Sequence, residues 1–307
     1  MSTYLVVGAG AIGTVVATQL ADQGNSVRLL SRRGAGPEHP LIERVSGDAS
    51  DADVVLRHAA GTDAIFNCAN PQYHRWPTDW PPIAAALLRA AEVHSSSLVT
   101  LGNLYAYGPP TGPMTPHDPL AATYEKARVR ATMWTDAKRA NDEGRIRATE
   151  VRASDFIGPM AQSYLGERVV PRVLAGKTCR VLGSASTPHS WNYTLDVART
   201  LVACAQSDVA WGRAWHAPAN PARTATEAIN DIADVAGVRH VKVGVLPNFA
   251  IKALGVVSPL VRELPTTMYQ FTTPFIIDDR ETRSTFGLEP TPWHDVLEAT
   301  IASYRTN

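Results

Sequence analysis

A short apolar run, Tyr4 to Val7, feeds directly into Gly8-Ala-Gly10-Ala-Ile-Gly13, and the residues that follow take up helical spacing. A strand, a GxGxxG turn and a helix in that order form a cradle for dinucleotide phosphates, and they commit the start of the chain to a parallel α/β unit. Gly8 permits the tight turn. Gly10 removes the side chain that would block a pyrophosphate, and Gly13 lets the helix pack close to the strand. The helix start at Ala11 and Ile12 turns free N–H groups and a positive dipole end toward the phosphates. Ile12, Val15, Val16 and Leu20 repeat at helical spacing, and Gly24-Asn25 supplies the stop. The next apolar run, Val27 to Leu30, reads as the second strand and ends in Ser31-Arg32-Arg33, where a binder of NAD usually offers an acid to the ribose hydroxyls. Two forked, permanently charged guanidiniums suit a ribose phosphate instead, which predicts NADP(H). The other reading open to the pair is solvated loop charge.

Size and composition exclude several classes. At 307 residues the chain can form one large α/β unit or two joined domains, and its formal net charge of zero, without a basic block, offers nothing to nucleic acid or an anionic membrane. The expected partner is a small molecule. No signal-like segment opens the sequence and no apolar run reaches membrane-spanning length, so the expectation is a soluble cytoplasmic protein. Cys68, Cys179 and Cys204 are odd in number and lack CxxC spacing, which argues against a disulfide framework and a zinc site. The nine histidines show no HExxH pattern, and no metal is expected.

Strands and helices alternate through the first half, as a parallel sheet requires. The sequence predicts a helix over 50–60 capped by Ser50 and a strand over 64–69. It then predicts a helix over 83–94 started by Pro81-Pro82, a strand over 97–101, a long helix over 120–142 and a strand over 147–151. Beyond these, helical stretches near 165–175, 194–205, 226–235 and 293–304 alternate with Pro-rich segments. The fold class expected is α/β, a Rossmann-like doubly wound parallel sheet over residues 1–157, with later returns near 190–235. A smaller C-terminal substrate-binding region over 158–307 closes over the carboxyl edge of the strands.

The chain resembles the extended and atypical short-chain dehydrogenase/reductases, the group that includes NAD(P)-dependent epimerases and dehydratases. Gly47-Asp48-Ala49-Ser-Asp51 is similar to the family segment whose Asp receives the adenine amino group, and Cys68-Ala69-Asn70 to the turn bordering the nicotinamide ribose. Leu98 to Pro109, with its Tyr107-Gly108, resembles the strand that carries the catalytic Ser or Thr. Arg152 to Pro159, including Phe156, resembles the strand and loop beneath the nicotinamide. His189 to Ala198 and Leu288 to His294 match later family segments in order. Extended members often carry Gly at the place of Val7, and this departure moves the match toward atypical members.

The resemblance implies a catalytic Tyr whose phenol exchanges a proton with a carbonyl or alcohol, assisted by a Lys four residues on. An isolated phenol keeps its proton to about pH 10, so a cation must favour the phenolate. Here Tyr124 stands at the Tyr position and Arg128 at the Lys position, and a helix would put both on one face. Arg128 can favour the phenolate and bind ribose hydroxyls, but a guanidinium does not relay a proton. Asn103 takes the Ser/Thr position, where its amide is either a donor to a substrate carbonyl or a turn residue. Lys126, two positions along the helix from Tyr124, reads as surface charge.

Asp155 occupies the place of an Asn that holds the substrate diphosphate in nucleotide-sugar epimerases, and a carboxylate there repels a diphosphate. Tyr73, Tyr105, Asp155, His189 and Trp191 are the candidate substrate contacts, with aromatic walls for a mostly apolar pocket. His189 is equally readable as a core histidine. Three functions stay open. One is an NADP(H)-dependent oxidoreductase for a small, largely apolar carbonyl or alcohol. The others are a non-catalytic NADP-binding sensor or scaffold and an epimerase or dehydratase using transient oxidation. The resemblance also implies a homodimer through the helices over 83–94 and 120–142.

Overall fold

The computed structural model describes residues 1–161, 163–247 and 263–305. Its centre is a seven-stranded sheet of β1 (Thr3–Val7), β2 (Ser26–Ser31), β3 (Ile42–Ser46), β4 (Ala64–Asn67), β5 (Ser97–Asn103), β6 (Ala148–Ala153) and a later strand, Ala214–His216. Every pairing in this sheet is parallel, in the spatial order β3, β2, β1, β4, β5, β6 and then Ala214–His216. The order reverses between β1 and β4, the switch point at which open parallel sheets bind ligands. Leu5, Val6 and Val7 are buried, as a strand covered on both faces requires.

The helices of this part are α1 (Ala11–Asp22), α2 (Ala52–Ala59), α3 (Trp76–His94) and α4 (Glu125–Asp142). Three differ from the sequence expectation. Asp51 caps α2, its Oδ1 accepting from the N–H groups of Asp53 (2.9 Å) and Val54 (3.3 Å), whereas Ser50 bonds Asp48 instead. α3 begins at Trp76 and carries Pro81 and Pro82 inside it, because Trp76 and Trp80 bury their rings in the same apolar cluster as Ile83 and Leu87. That burial, about 2–3 kcal/mol per large side chain, offsets the lost backbone donors. α4 begins only at Glu125, since the Ala122 N–H is tied to the Ala106 carbonyl (3.0 Å) and the segment before the helix runs extended.

The chain divides into two compact units. Met1–Ala106, Leu120–Ala153 and Val197–Ala217 make the first, which contains the whole sheet. Tyr107–Pro119, Ser154–Asp196 and Pro218–Asn307 make the second. In the second unit β7 (Asp155–Ile157) pairs in parallel with β9 (Trp191–Tyr193), and β8 (Cys179–Val181) with Val243–Val245. Its own core gathers Ile157, Leu165, Val170, Trp191, Ile229, Ile232, Val296 and Leu297. These come from α5 (Val170–Leu174), the helix Ala225–Ala236 and the helix Trp293–Arg305, among other elements. Ala225–Ala236 starts in a capping box of Thr224 and Glu227 and stops at Gly237, whose φ of 68° is left-handed. Among the described residues no helix is long and apolar enough to cross a membrane.

All three cysteines are free and buried, and burial pushes the Cys68 thiol up to about 12 and raises those of Cys179 and Cys204. Only the thiolate reacts with disulfide reagents. Native protein at pH 8 is therefore expected to show no fast-reacting thiol toward a chromogenic disulfide, and urea to release all three. A rapid native phase would contradict this packing.

Candidate functional site

The first unit builds its site at the turn between β1 and α1. Gly8 has φ +107°, and a Cβ there would sit 2.4 Å from the Cys68 carbonyl oxygen. At Gly13 a Cβ would lie 1.8 Å from the Gly8 carbonyl oxygen. Both positions admit no side chain. Gly10 is the opposite case: a Cβ there would meet nothing within 4 Å, so it borders open space at the head of α1. Neither a capping side chain nor an acid occupies that helix start. A cradle closed at two glycines and open at the third fits a dinucleotide pyrophosphate. Ala11 and Ile12 open the helix beside it, and Ile12 is buried.

Beyond β2, the Ser31 hydroxyl is engaged in its own turn, accepting from the Ala35 N–H (2.8 Å) and donating to the Ala35 carbonyl (3.1 Å). Arg32 and Arg33 are exposed, and among the described residues neither side chain forms an ion pair or hydrogen bond. Asp48, with Ala49, follows β3. The Ser50 backbone N–H and hydroxyl both donate to the Asp48 carboxylate and hold it below the usual carboxylate range, with Arg32 acting in the same direction. Cys68, Ala69 and Asn70 follow β4, with Asn70 exposed and the Cys68 carbonyl pressed on Gly8.

At the end of β5 the Asn103 Oδ1 accepts from the Tyr105 N–H (3.1 Å), an Asx turn that uses the oxygen and leaves the amide N–H₂ as the available group. The Tyr124 phenol donates to the Tyr105 carbonyl at 3.3 Å, so Asn103, Tyr105 and Tyr124 form one connected group. Tyr124 is the N-cap of α4, with extended backbone (φ −76°, ψ 150°), and its carbonyl accepts the first helical bond, from the Arg128 N–H (3.0 Å). Arg128 is exposed.

Lys126 corrects the sequence reading. It is 4% exposed, not a surface charge, and its Nζ lies 4.3 Å from the centroid of the Tyr73 ring. Tyr73 packs edge-on to Trp76 and Tyr105, which places both of these candidate substrate residues in an aromatic cluster.

A buried charge group beneath this region escaped the sequence reading. Arg130 of α4 donates to the Leu101 carbonyl of β5 (2.5 Å), lies 4.8 Å from the Trp80 ring and comes within 4.0 Å of Glu150, which also pairs with Arg152 at 2.6 Å. Burial pulls the Arg130 guanidinium down from its ordinary value, and Glu150 opposes that pull. Arg130 thereby ties α4 to β5 two residues before Asn103. The legible signal was Glu150 and Arg152 at alternate positions of a short strand flanked by Ala148, Val151 and Ala153. Replacing Arg130 with Met is expected to cost about 1.5–3 kcal/mol by removing the charge-assisted bond to the Leu101 carbonyl, read as a shifted urea midpoint.

The second unit holds Asp155, Phe156, His189 and Trp191. Asp155 and Phe156 lie on β7 and Trp191 on its partner β9, while His189 precedes β9. Asp155, His189 and Trp191 line one cavity together with Leu165, Val181 and Phe271. Gln270, Phe271 and Phe275 complete the surroundings of His189 from far along the chain.

Residues 4–215 match the NAD dependent epimerase/dehydratase family. A 63-residue stretch is 41% identical to a 3 beta-hydroxysteroid dehydrogenase/Delta 5-->4-isomerase from Mycobacterium tuberculosis (strain CDC 1551 / Oshkosh). That stretch is 20% of this chain and spans only 17% of the relative's length. Among solved structures, dTDP-glucose 4,6-dehydratase (DesIV) from Streptomyces venezuelae with NAD and TYD bound is similar at 20% identity and a TM-score of 0.79, over 99% of this chain and 97% of that one. The Bordetella bronchiseptica enzyme WbmH in complex with NAD+ is similar at 18% identity and 0.77, over 99% of both chains. At these identities the two structures establish the fold: a Rossmann-like parallel sheet flanked by helices.

Proposed function

The chain belongs to the NAD dependent epimerase/dehydratase family, and from that premise we propose that it is an NADP(H)-dependent oxidoreductase acting on a carbonyl or alcohol of a small, largely apolar molecule. The observation that carries the reading is the glycine turn, sterically closed at Gly8 and Gly13 and open at Gly10. Gly8, Gly10, Ala11, Ile12 and Gly13 would hold the pyrophosphate, and Asp48 and Ala49 the adenine. Arg32 and Arg33, with Ser31 shaping their turn, would hold a ribose phosphate. Cys68, Ala69, Asn70 and Phe156 would border the nicotinamide end. When bound, the dinucleotide supplies the hydride donor or acceptor.

The chain's own residues handle the proton and the oxygen. Tyr124 Oη gives or takes the proton, and its 3.3 Å bond to the Tyr105 carbonyl is long enough for a substrate oxygen to displace. The Asn103 amide N–H₂ is the donor that polarises the carbonyl. Arg128 contributes charge and ribose contacts, without proton relay.

Fluorescence titration with NADPH and NADH tests the cofactor assignment. NADPH is expected to bind about tenfold or more tightly, the worth of one charge-assisted contact, and the Arg32→Ala/Arg33→Ala double variant to lose that preference. Equal affinities, or a preference for NADH, would overturn it.

A second reading, an NADP-binding sensor without turnover, is favoured by two observations: the exposure of Arg128 and the engagement of the Asn103 oxygen in a turn. NADPH oxidation across a carbonyl panel that includes 3-ketosteroids decides between them, since any turnover rejects sensing as the sole role. An epimerase or dehydratase would convert its substrate without net cofactor consumption.

A further inference from the structure

The second unit contains a polar pair that the dinucleotide reading leaves unused. The His189 ring is 5% exposed and stacks between Phe271 (centroids 5.7 Å apart) and Phe275 (5.3 Å), with Trp191 tilted against it at 5.0 Å. Its Nδ1 lies 3.1 Å from the Gln270 carbonyl, which only accepts, so Nδ1 donates there. Its Nε2 lies 3.2 Å from Asp155 Oδ2 and 3.5 Å from Ser154 Oγ. Both ring nitrogens face groups that only accept, so for both contacts to be hydrogen bonds the ring is the imidazolium, donating through Nδ1 to the Gln270 carbonyl and through Nε2 to the Asp155 carboxylate, which it holds in place.

Asp155 is different. Its side chain is 29% exposed, and among the described residues Oδ1 has no hydrogen-bond partner. It borders the cavity whose walls include Leu165, Val169, Val181, Trp191 and Phe271. A fixed acceptor carrying negative charge, set in an apolar wall, selects a ligand that is itself apolar and brings one donor. A phosphate dianion or a ketone has only acceptors to offer.

We propose that this cavity binds a small apolar molecule through one hydrogen-bond donor, a hydroxyl or an ammonium, given to Asp155 Oδ1, with His189 as the positioning residue. The proposal deepens the oxidoreductase reading and rests on it in treating the occupant as substrate; the binding itself requires no dinucleotide.

The test is calorimetric titration of the full chain with a matched set: benzyl alcohol, benzylamine, benzaldehyde and benzyl phosphate. The alcohol or the amine is expected to bind at least about tenfold more tightly than the aldehyde and the phosphate, and their ranking shows whether the donor is neutral or cationic. Asp155→Ala is expected to bring alcohol, amine and aldehyde to similar affinity. His189→Gln is expected to reduce the ratio of alcohol to aldehyde affinity, whereas a merely structural role would weaken all four ligands alike and would overturn the positioning assignment. Equal binding of alcohol, amine and aldehyde by the unaltered protein, strongest binding of the phosphate, or no saturable binding of any of the four overturns the proposal without recourse to a variant. NADPH titration is separate: its failure with the donor preference intact overturns the cofactor reading alone.

Discussion

Tyr124→Phe is expected to lower kcat by about 10²- to 10⁴-fold on any carbonyl substrate found in the panel, the usual worth of a positioned proton donor. Removing the hydroxyl deletes the long hydrogen bond to the Tyr105 carbonyl, a contact worth about 0.5–1.5 kcal/mol to the fold. NADPH affinity should change little, because the cradle is built from β1, α1 and the turns after β2, β3 and β4. The measurements are steady-state turnover and cofactor titration on the same preparation. Unchanged turnover with a folded variant would remove Tyr124 from the chemistry and strengthen the sensor reading.

The second large effect separates ligand space from packing space at the glycine turn. Gly10→Val is expected to keep the fold and lose about 100-fold or more in dinucleotide affinity, since the new side chain enters only the open space assigned to the pyrophosphate. The Gly10 backbone, at φ −83° and ψ −172°, is extended and accepts any residue. Gly13→Ala is the reverse case. Its Cβ would press on the Gly8 carbonyl oxygen, so the variant is expected to be destabilised by more than the 1–3 kcal/mol or so typical of overpacking. Melting curves and NADPH titration of the two variants check the contrast. If Gly10→Val binds like the unaltered protein, no pyrophosphate crosses that turn.

The cradle was legible because each glycine answers a requirement set within a few residues or by one neighbouring strand. Helix α6 (Thr194–Ala205) runs where periodicity places it, since its apolar stripe is uninterrupted. The starts of α3 and α4 were not legible. Burial of Trp76 and Trp80 carries α3 through two prolines, and the Ala122 to Ala106 bond delays α4, and both causes lie outside the local window. Lys126 was read as surface charge because the Tyr73 ring that its Nζ lies over is some fifty residues away in sequence. In the second unit, Asp155 and His189 were visible as chemistry-bearing residues. Their junction depends on Gln270, Phe271 and Phe275, which no spacing rule connects to them.

The order of the central sheet has a consequence for biosynthesis. β6 is complete at Ala153, but the strand that covers its outer side, Ala214–His216, is made about sixty residues later, as the register of Ala214 beside Glu150 shows. A nascent chain emerging at a typical 5–20 residues per second therefore carries β6 with its outer edge unpaired for several seconds. Fragments ending between those two points should be the ones that chaperone holdases retain and that precipitate when made alone.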